Sequence, residues 1–516
     1  MKRKNEYKPL LFTTTLRNPS RMKEFLGIVS KFDGQLLTNE VILKICGALI
    51  RNKLYVTTYQ KHNSKLNAIY LNEAARYNDR QITDILTHSE QNHKEAGFDR
   101  GWPSRFDTWF KFLKELGFLY YEMNKTIVIS PTGKLLLKAN EDGGSEFESQ
   151  AFLNAFVKYQ RNNPYRRVSN VNKPFILLLR TILRLKELKH DNEAGIYIFE
   201  VPYFLSWKDD DFNALANYIL TNRERYGLRP SEEVVYDNCK EILDLSTEDE
   251  KRFKISNLLH EMPDEFIRKM RLTGVFSLRG MGHYLDINTQ YSKKIDYIVR
   301  TYSSCPTFSN EHEYFEYAST VDENLVDARQ VETLPESEHL SLFNKLVSQF
   351  DIETLRKELL LLSQKNGKST NELFRYIDAP TRLEFLTALL LKKTFKDLLV
   401  APNYPIDDEG IPTSTAGGNV PDIYCKENGT SILVEVTMLT STQQNIRETP
   451  SIIVHLKNEL AKNKDSFSVF VAPIVHEQTS IFMNLACLEH HISIVIKTIQ
   501  DFAFEIQGKE KFSQMR

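Results

Sequence analysis

Apolar positions along this chain recur with two periods, and the change from one period to the other predicts where helices give way to strands. Helical spacing between residues 98 and 138 is shown by Phe106, Trp109, Phe110, Leu113 and Leu116. Gly117 predicts the end of this helix, and two short extended runs follow around a turn at Met123-Asn124-Lys125. The pattern therefore predicts a helix followed by a β-hairpin.

The same order recurs twice more before residue 301. Residues 173–201 read as a helix followed by an extended run, and residues 263–287 read as a helix followed by two extended runs around Gly280-Met281-Gly282. A helix with a hairpin wing is the layout of a winged helix, whose recognition helix enters the major groove of DNA. Such a unit can equally serve as a protein-interaction module. We interpret residues 1–160 and 161–301 as two DNA-recognition subdomains.

Composition and pattern change in the remaining third of the chain. Residues 302–340 are acidic, polar and weakly periodic, which predicts a linker. Residues 341–516 begin with helices, continue with a hairpin around Lys426–Gly429, and end with a strand, a helix and a strand. The predicted fold class is multidomain α+β, with winged-helix-like subdomains before an α/β domain.

Two carboxylates stand out against the apolar pattern of the predicted hairpin. Glu435 is the lone charge in the run Ser431 to Met438, and Asp422 directly precedes the partner strand. A buried carboxylate without a partner is costly, and a divalent cation shared by the two residues removes that cost. Mg²⁺ suits the position because it takes a few carboxylates together with water and phosphate oxygens.

Further acidic residues fall near this pair. Glu384 lies on an apolar helix that precedes the hairpin, so its carboxylate could act as a further ligand of the cation. Glu448 follows Glu435 by thirteen positions, the same separation as that between Asp422 and Glu435, and His455 comes seven positions later. Spacing alone leaves Glu448 open, because a Glu in a polar loop is usually only solvated.

The runs GGNVPDI, LVEVTM and QQNIRETP, with a following HL, resemble the catalytic domain of AlwI-type endonucleases. That family comprises type IIS restriction enzymes and related DNA nicking enzymes, with divergent PD-(D/E)xK nuclease cores. The resemblance places catalytic residues at Glu384, Asp422, Glu435 and Glu448, with His455 as an auxiliary, and implies that Asp422, Glu435 and Glu448 bind Mg²⁺. The usual Lys of the E-x-K element is replaced by Thr437.

The resemblance implies an endonuclease that recognises a short asymmetric duplex sequence and cuts at a fixed offset outside it. One such site cuts one strand, so duplex cleavage needs a second copy or a small subunit, and a nicking enzyme is the natural variant. A cognate DNA methyltransferase is the further partner implied. The competing hypothesis is a winged-helix regulator that keeps the nuclease fold only for assembly.

Charge distribution is more informative than net charge, because 67 Lys and Arg residues nearly balance 68 Asp and Glu residues. Residues 161–189 form a basic segment with Glu187 as the opposing charge. Arg180, Arg184 and Lys186 alternate with leucines and read as a solvated helix face. The residues assigned to DNA phosphate contacts are Arg161, Arg166, Arg167 and Lys173.

Length, cysteine content and hydropathy give further predictions about domain number, thiol state and location. A chain of 516 residues is too long for one core and predicts about three or four domains. Five scattered cysteines without a C-x-x-C pair predict reduced thiols, and the absence of a signal peptide or membrane span predicts a cytoplasmic protein. The sequence shows neither an ATP-binding loop nor a Ser-His-Asp arrangement, so ATP-dependent and acyl-transfer chemistry are not expected.

Overall fold

The computed structural model describes residues 6–13, 15–72, 75–89, 91–139, 144–189, 195–245, 254–332, 334–364 and 367–516. These residues form two compact units. The N-terminal unit contains the described residues up to Leu71, from Ala75 to 139 and from Phe147 to Glu332, and the C-terminal unit contains residues 334–516. The five cysteines are free thiols, as predicted. Within the described ranges, every helix is too short or too polar to cross a membrane.

The N-terminal unit is mainly helical. Its α-helices are α1 (Pro19–Val29), α2 (Asn39–Arg51), α3 (Thr58–His62), α4 (Ser64–Leu71), α5 (Asp79–His88), α6 (Trp102–Glu115), α7 (Pro131–Lys138), α8 (Ser145–Lys158), α9 (Pro174–Lys189), α10 (Val201–Ser206), α11 (Phe212–Tyr226), α12 (Glu232–Leu243), α13 (Met262–Leu272), α14 (Ser292–Tyr302), α15 (Glu311–Ser319) and α16 (Glu323–Val326). Its strands are β1 (Leu119–Tyr120), β2 (Val128–Ile129), β3 (Ile196–Tyr197), β4 (Phe276–Arg279) and β5 (Tyr284–Ile287).

The predicted helix and hairpin between residues 98 and 138 are confirmed. Helix α6 ends before Gly117, whose φ of 76° is a left-handed conformation that glycine adopts without strain. Strands β1 and β2 then pair antiparallel. A third segment joins them, because Leu36 forms an antiparallel bridge with Thr126.

The two later helix-and-strand repeats form one sheet. Strands β3, β5 and β4 are hydrogen-bonded in that order, and both pairings are antiparallel. Strand β3 comes from the repeat at 173–201, whereas β4 and β5 come from the repeat at 263–287. Local patterning could not reveal this pairing, because it joins Ile196 to Leu285 and Tyr197 to Tyr284, which are far apart in the sequence. Gly280, Met281 and Gly282 form the turn between β4 and β5, with positive φ at each residue.

The helix before each hairpin belongs to the core. Every residue of α6 is buried or half-buried, and Arg268 is the exposed residue of α13. A helix that enters a DNA groove must expose one face to the bases. The winged-helix interpretation of this segment therefore stays a prediction, and the aromatic residues of α6 offer no exposed face for a DNA groove because each is buried or half-buried.

The stretch predicted as an acidic linker, 302–340, is folded and is divided between the units. Residues up to Glu332 belong to the N-terminal unit, and helix α17 of the C-terminal unit begins at Glu336. Within α15, Tyr314, Phe315 and Ala318 are buried. Their spacing gives the helix an apolar face that the surrounding acidic residues obscured in the sequence. The linker prediction is wrong for this reason.

The C-terminal unit is a mixed sheet with helices packed against it. Its helices are α17 (Glu336–Gln349), α18 (Ile352–Leu361), α19 (Ala379–Thr394), α20 (Thr442–Leu460), α21 (Glu477–His490) and α22 (Ile499–Glu505). Its strands are β6 (Leu399–Pro402), β7 (Ile423–Glu427), β8 (Thr430–Val436), β9 (Ser466–Ala472) and β10 (Ile494–Thr498). This order contains the hairpin and the strand–helix–strand ending that the sequence predicted.

The sheet order is β10-β9-β8-β7-β6. Strands β6, β7 and β8 pair antiparallel, whereas β8, β9 and β10 pair parallel. Helices α20 and α21 pack on a core that includes Leu433 of β8, Phe470 of β9 and Ile494 of β10. Residues alternate between faces along a strand, so Glu435 lies on the same face of β8 as Leu433 and is directed toward α20.

Candidate active site

Asp422 and Glu435 lie side by side at one end of the β7–β8 hairpin. Ile423 pairs with Val434, so Asp422 directly precedes this pair on one strand and Glu435 directly follows it on the other. The amide of Val436 donates to Asp422 Oδ2 at 2.7 Å. Glu435 is only 7% exposed in a strand whose residues are all buried. The hairpin thus brings together the two carboxylates that the sequence singled out.

Helix α20 brings Glu448 and His455 to the same place. His455 follows Glu448 by seven positions, which is about two turns, so both lie on one face of the helix. The Nδ1 atom of His455 is 2.9 Å from Glu435 Oε1, and the hydroxyl of Thr437 donates to Glu448 Oε1 at 2.9 Å. The placement of Glu448 in a polar loop was wrong. The segment is helical despite Pro450, because Ile452 and Leu456 pack into the core.

Glu384 reaches the site from helix α19. Its side chain is 3% exposed, and its Oε2 atom accepts a hydrogen bond from the amide of Ala416 at 2.9 Å. Burial raises the pKa of Glu384 to about 8; the Ala416 amide opposes this rise, and the charges of Glu435, Asp378 and Glu448 add to it. The carboxylates of Glu435 and Glu448 are therefore close enough to Glu384 to raise its pKa.

Burial and mutual repulsion perturb the carboxylates of the site. Burial raises the pKa of Asp422 well above its usual range, and the charges of Glu384 and Glu435 raise it further. Burial also raises the pKa of Glu435, although the hydrogen bond with His455 opposes the effect. The same hydrogen bond raises the pKa of His455. The carboxylates thus raise one another's pKa values, and a divalent cation bound among them would relieve this repulsion.

A family model described as AlwI restriction endonuclease matches residues 114–334 and 337–500 of this chain. The chain belongs to the AlwI restriction endonuclease family. This finding confirms the resemblance that the motifs around Asp422, Glu435 and Glu448 suggested. No curated protein matches the chain.

Solved structures of restriction endonucleases are also similar to this AlwI family member. The small subunit of the heterodimeric restriction endonuclease R.BspD6I is 22% identical, and the match covers 26% of this chain and 73% of that chain with a TM-score of 0.23. FokI is 12% identical over 96% of both chains with a TM-score of 0.25. FokI bound to DNA is 9% identical over 97% of this chain and 96% of that chain, also at 0.25.

The carboxylates of this AlwI family member suit a hard divalent cation. Asp422, Glu435 and Glu448 present oxygen ligands, which Mg²⁺ prefers. Within the described ranges, no group of three or more His, Cys, Asp or Glu side chains is placed so that it could hold a metal ion. An incomplete set fits Mg²⁺, because this ion usually keeps several waters and takes up phosphate oxygens of the substrate.

Two of the four residues assigned to DNA are buried in the N-terminal unit. Arg161 is 3% exposed and donates to the carbonyls of Leu205 at 3.1 Å and Trp207 at 3.0 Å, and also to that of Lys8. Lys173 is 3% exposed and donates to the Tyr302 carbonyl at 3.2 Å. A phosphate cannot reach these groups, so their assignment to DNA is wrong. Both cations satisfy buried carbonyl oxygens.

Arg166 also has a structural role, whereas Arg167 is exposed. The Arg166 guanidinium pairs with Glu115 at 2.6 Å and donates to the carbonyls of Leu11 and Phe12. It thereby fixes the N-terminal segment, in which Phe12 packs against the tilted ring of Phe112 in α6 and stacks on Phe266 of α13, at centroid distances of 5.4 and 6.1 Å. Among these four residues, a contact with DNA phosphate stays a prediction for Arg167.

Two groups at the site were missed from the sequence. The amide of Ala416 contacts Glu384, and the hydroxyl of Thr437 contacts Glu448. The Gly417-Gly418 pair beside Ala416 was a usable signal, because glycines often mark backbone that approaches a functional group closely. The Thr437 contact had no comparable signal, because it depends on the placement of α20.

Proposed function

We propose that this chain is a Mg²⁺-dependent, site-specific DNA endonuclease of type IIS. The observation that carries the proposal is the cluster of Glu384, Asp422, Glu435 and Glu448, which are drawn from two helices and a hairpin of the C-terminal unit. Buried carboxylates with raised pKa values are typical of functional sites. Membership of the AlwI family gives this cluster its expected chemistry.

Each side chain has a role that follows from its contacts. Asp422, Glu435 and Glu448 would hold the cation, and His455 fixes the orientation of Glu435. Glu384 orients a water molecule or supplies a further ligand. Bound Mg²⁺ would polarise the scissile phosphate and lower the pKa of a coordinated water. Hydrolysis by in-line attack would leave a 5′-phosphate and a 3′-hydroxyl.

DNA recognition is assigned to the N-terminal unit. It contains two antiparallel hairpins, β1–β2 and β4–β5, each preceded by a core helix. Because α6 and α13 are buried, we assign DNA contacts to the hairpins and to exposed residues such as Arg167 in place of those helices. Separation of recognition from cleavage would place the cut at a fixed offset outside an asymmetric site.

Cleavage of the second strand requires a partner, either a second copy of the chain or a small subunit. Helix α21 supports a protein contact on the C-terminal unit, because it exposes large apolar side chains that a lone chain would leave in water. Their exposed fractions are 50% for Ile481, 50% for Phe482, 53% for Leu485 and 75% for Leu488. A cognate DNA methyltransferase would complete the biological system by protecting host DNA.

Incubation of purified protein with supercoiled plasmid tests the proposal. In Mg²⁺ we expect open circles if the chain nicks and linear DNA if it cuts both strands; EDTA should abolish both products. Cut positions mapped on a sequenced fragment should fall at one fixed distance from a repeated sequence. Unchanged plasmid would favour the alternative, a non-catalytic winged-helix DNA-binding regulator that retains the domain for assembly.

A further inference from the structure

Thr437 stands where the PD-(D/E)xK motif has its lysine. It follows Glu435 by two residues and stands directly after β8. Its amide still bonds to β9 and successive side chains of an extended segment point to opposite faces, so Glu435 and Thr437 both face α20. Thr437 is 8% exposed and carries no charge. It cannot replace the lysine as a cation, so its contribution must come through its hydroxyl.

That hydroxyl is held from both sides. It accepts a hydrogen bond from the amide of Leu439 at 3.1 Å and donates to Glu448 Oε1 at 2.9 Å. The Thr437 amide donates to the carbonyl of Val471 at 3.1 Å, which fixes the backbone against β9. A hydroxyl that accepts from one fixed donor directs its own proton elsewhere, and here it is directed to Glu448.

Two contacts therefore join the end of β8 and the residue after it to α20, Glu435 to His455 and Thr437 to Glu448. We propose that Thr437 is a positioning residue whose hydroxyl orients the Glu448 carboxylate, so that Glu448 can join Asp422 and Glu435 when a divalent cation binds. This inference rests on the proposed function. In this chain a neutral hydrogen-bond donor thus recruits a third carboxylate at the position where the motif uses a lysine.

Thr437→Val tests the contact, because valine keeps the shape of threonine and removes the hydroxyl. Thr437→Ser restores the hydroxyl and is the rescue variant. Thr430→Val is the matched control, because Thr430 begins β8, the strand that Thr437 directly follows, and donates to Asp465 at 2.6 Å, away from the carboxylate cluster. Circular dichroism would confirm that each variant is folded, and Thr437→Ala would replace Thr437→Val if the latter were not.

The first readout is Mn²⁺ binding to the full chain without DNA, measured by calorimetry. Loss of an outer hydrogen bond to a metal ligand commonly weakens affinity by about 10- to 100-fold, so we expect Thr437→Val to raise the Kd by about tenfold or more. Thr437→Ser and Thr430→Val should bind as the wild type does. The second readout is the Mg²⁺ concentration that gives half-maximal single-turnover cleavage, which should rise in parallel for Thr437→Val.

Unchanged Mn²⁺ affinity in Thr437→Val, while the wild type cuts DNA, would overturn the role of Thr437 and leave the proposed function intact. Equal weakening in Thr430→Val would also overturn it, because the effect would then belong to the strand as a whole. A wild-type chain that neither binds Mn²⁺ nor cuts DNA in Mg²⁺ would overturn the proposed function and this inference together.

Discussion

Removal of residues 302–332 should unfold the N-terminal unit. A fragment ending at residue 301 lacks α15 and α16, whereas a fragment ending at residue 332 keeps them. An acidic linker could be removed without harm, so the two fragments distinguish a linker from an integral part of the fold. We expect the fragment 1–332 to fold cooperatively and the fragment 1–301 to be largely unfolded at 25 °C.

The expected loss can be estimated from the side chains that α15 and α16 bury. Phe315 is 7% exposed, Leu325 is fully buried, and burial of such side chains contributes about 1.5–3 kcal/mol each. Tyr314 is also fully buried and adds a comparable amount. The sum of about 5–9 kcal/mol is similar to the whole stability of a typical domain, about 5–15 kcal/mol.

The truncation also removes the partners of buried charges. Lys114, whose side chain is 8% exposed, pairs with Glu311 at 2.9 Å while its amine lies 4.8–5.0 Å from the ring centres of Tyr120, Tyr121 and Tyr165. A buried cation that loses its carboxylate is strongly destabilising. The loss of this ion pair adds to the loss of apolar burial, so the apolar sum is a lower estimate of the lost stability.

Thermal melts of both fragments, followed by circular dichroism, are the assay. The fragment 1–332 should show one sharp transition, and the fragment 1–301 should show a weak or absent one. A fragment 1–301 that melts as cooperatively and at the same temperature as 1–332 would refute the reasoning and restore the linker interpretation.

Three further predictions concern single residues. Arg161→Ala should lower stability by about 2–4 kcal/mol, because it leaves buried carbonyls without donors. The substitution Arg167→Ala, at an exposed position, should keep the melting temperature and weaken DNA binding. Equal melting temperatures for the two variants would contradict this prediction. Burial lowers the pKa of Lys173 from 10.5 to about 8, so between these values the unfolded chain holds a proton that the folded chain has lost, and stability should rise with pH. Lys173→Met should reduce this slope in denaturant titrations at pH 8 and pH 9.5, whereas Thr181→Val, on helix α9 that begins directly after Lys173, should keep it. His455→Ala should reduce cleavage by about 10- to 100-fold while Glu435 still binds metal, and complete loss of Mn²⁺ binding would show that His455 does more than orient Glu435.

Local patterning predicted the C-terminal domain well. The hairpin around Lys426–Gly429 and the strand–helix–strand ending depend on runs of apolar residues and on turn signals, which are properties of short segments. The pairing of Asp422 with Glu435 followed from the hairpin itself, because two residues at the same end of adjacent strands must be neighbours. These parts of the site needed no knowledge of the tertiary fold.

Features that depend on distant packing were not predictable in this way. The basic residues Arg161, Arg166 and Lys173 looked suitable for phosphate, but each donates to backbone carbonyls supplied by segments 44 to 155 residues away. Whether a cation faces solvent or an interior carbonyl is decided by the tertiary structure. Helix α6 shows the same limit. Its apolar positions could be found from the sequence, but the burial of its other faces depends on the tertiary structure.

The most direct test of the central claim compares two glutamine substitutions of buried glutamates on adjacent strands. Glu435→Gln neutralises the carboxylate beside Asp422, whereas Glu427→Gln neutralises a buried carboxylate that accepts from the amides of Phe512 and Ser513 outside the site. With a duplex containing the mapped site, we expect Glu435→Gln to abolish cleavage in Mg²⁺ and to bind that duplex in EDTA as the wild type does, while Glu427→Gln still cuts. Normal cleavage by Glu435→Gln, or loss of binding together with cleavage, would contradict the assignment of the carboxylate cluster as the cleavage site.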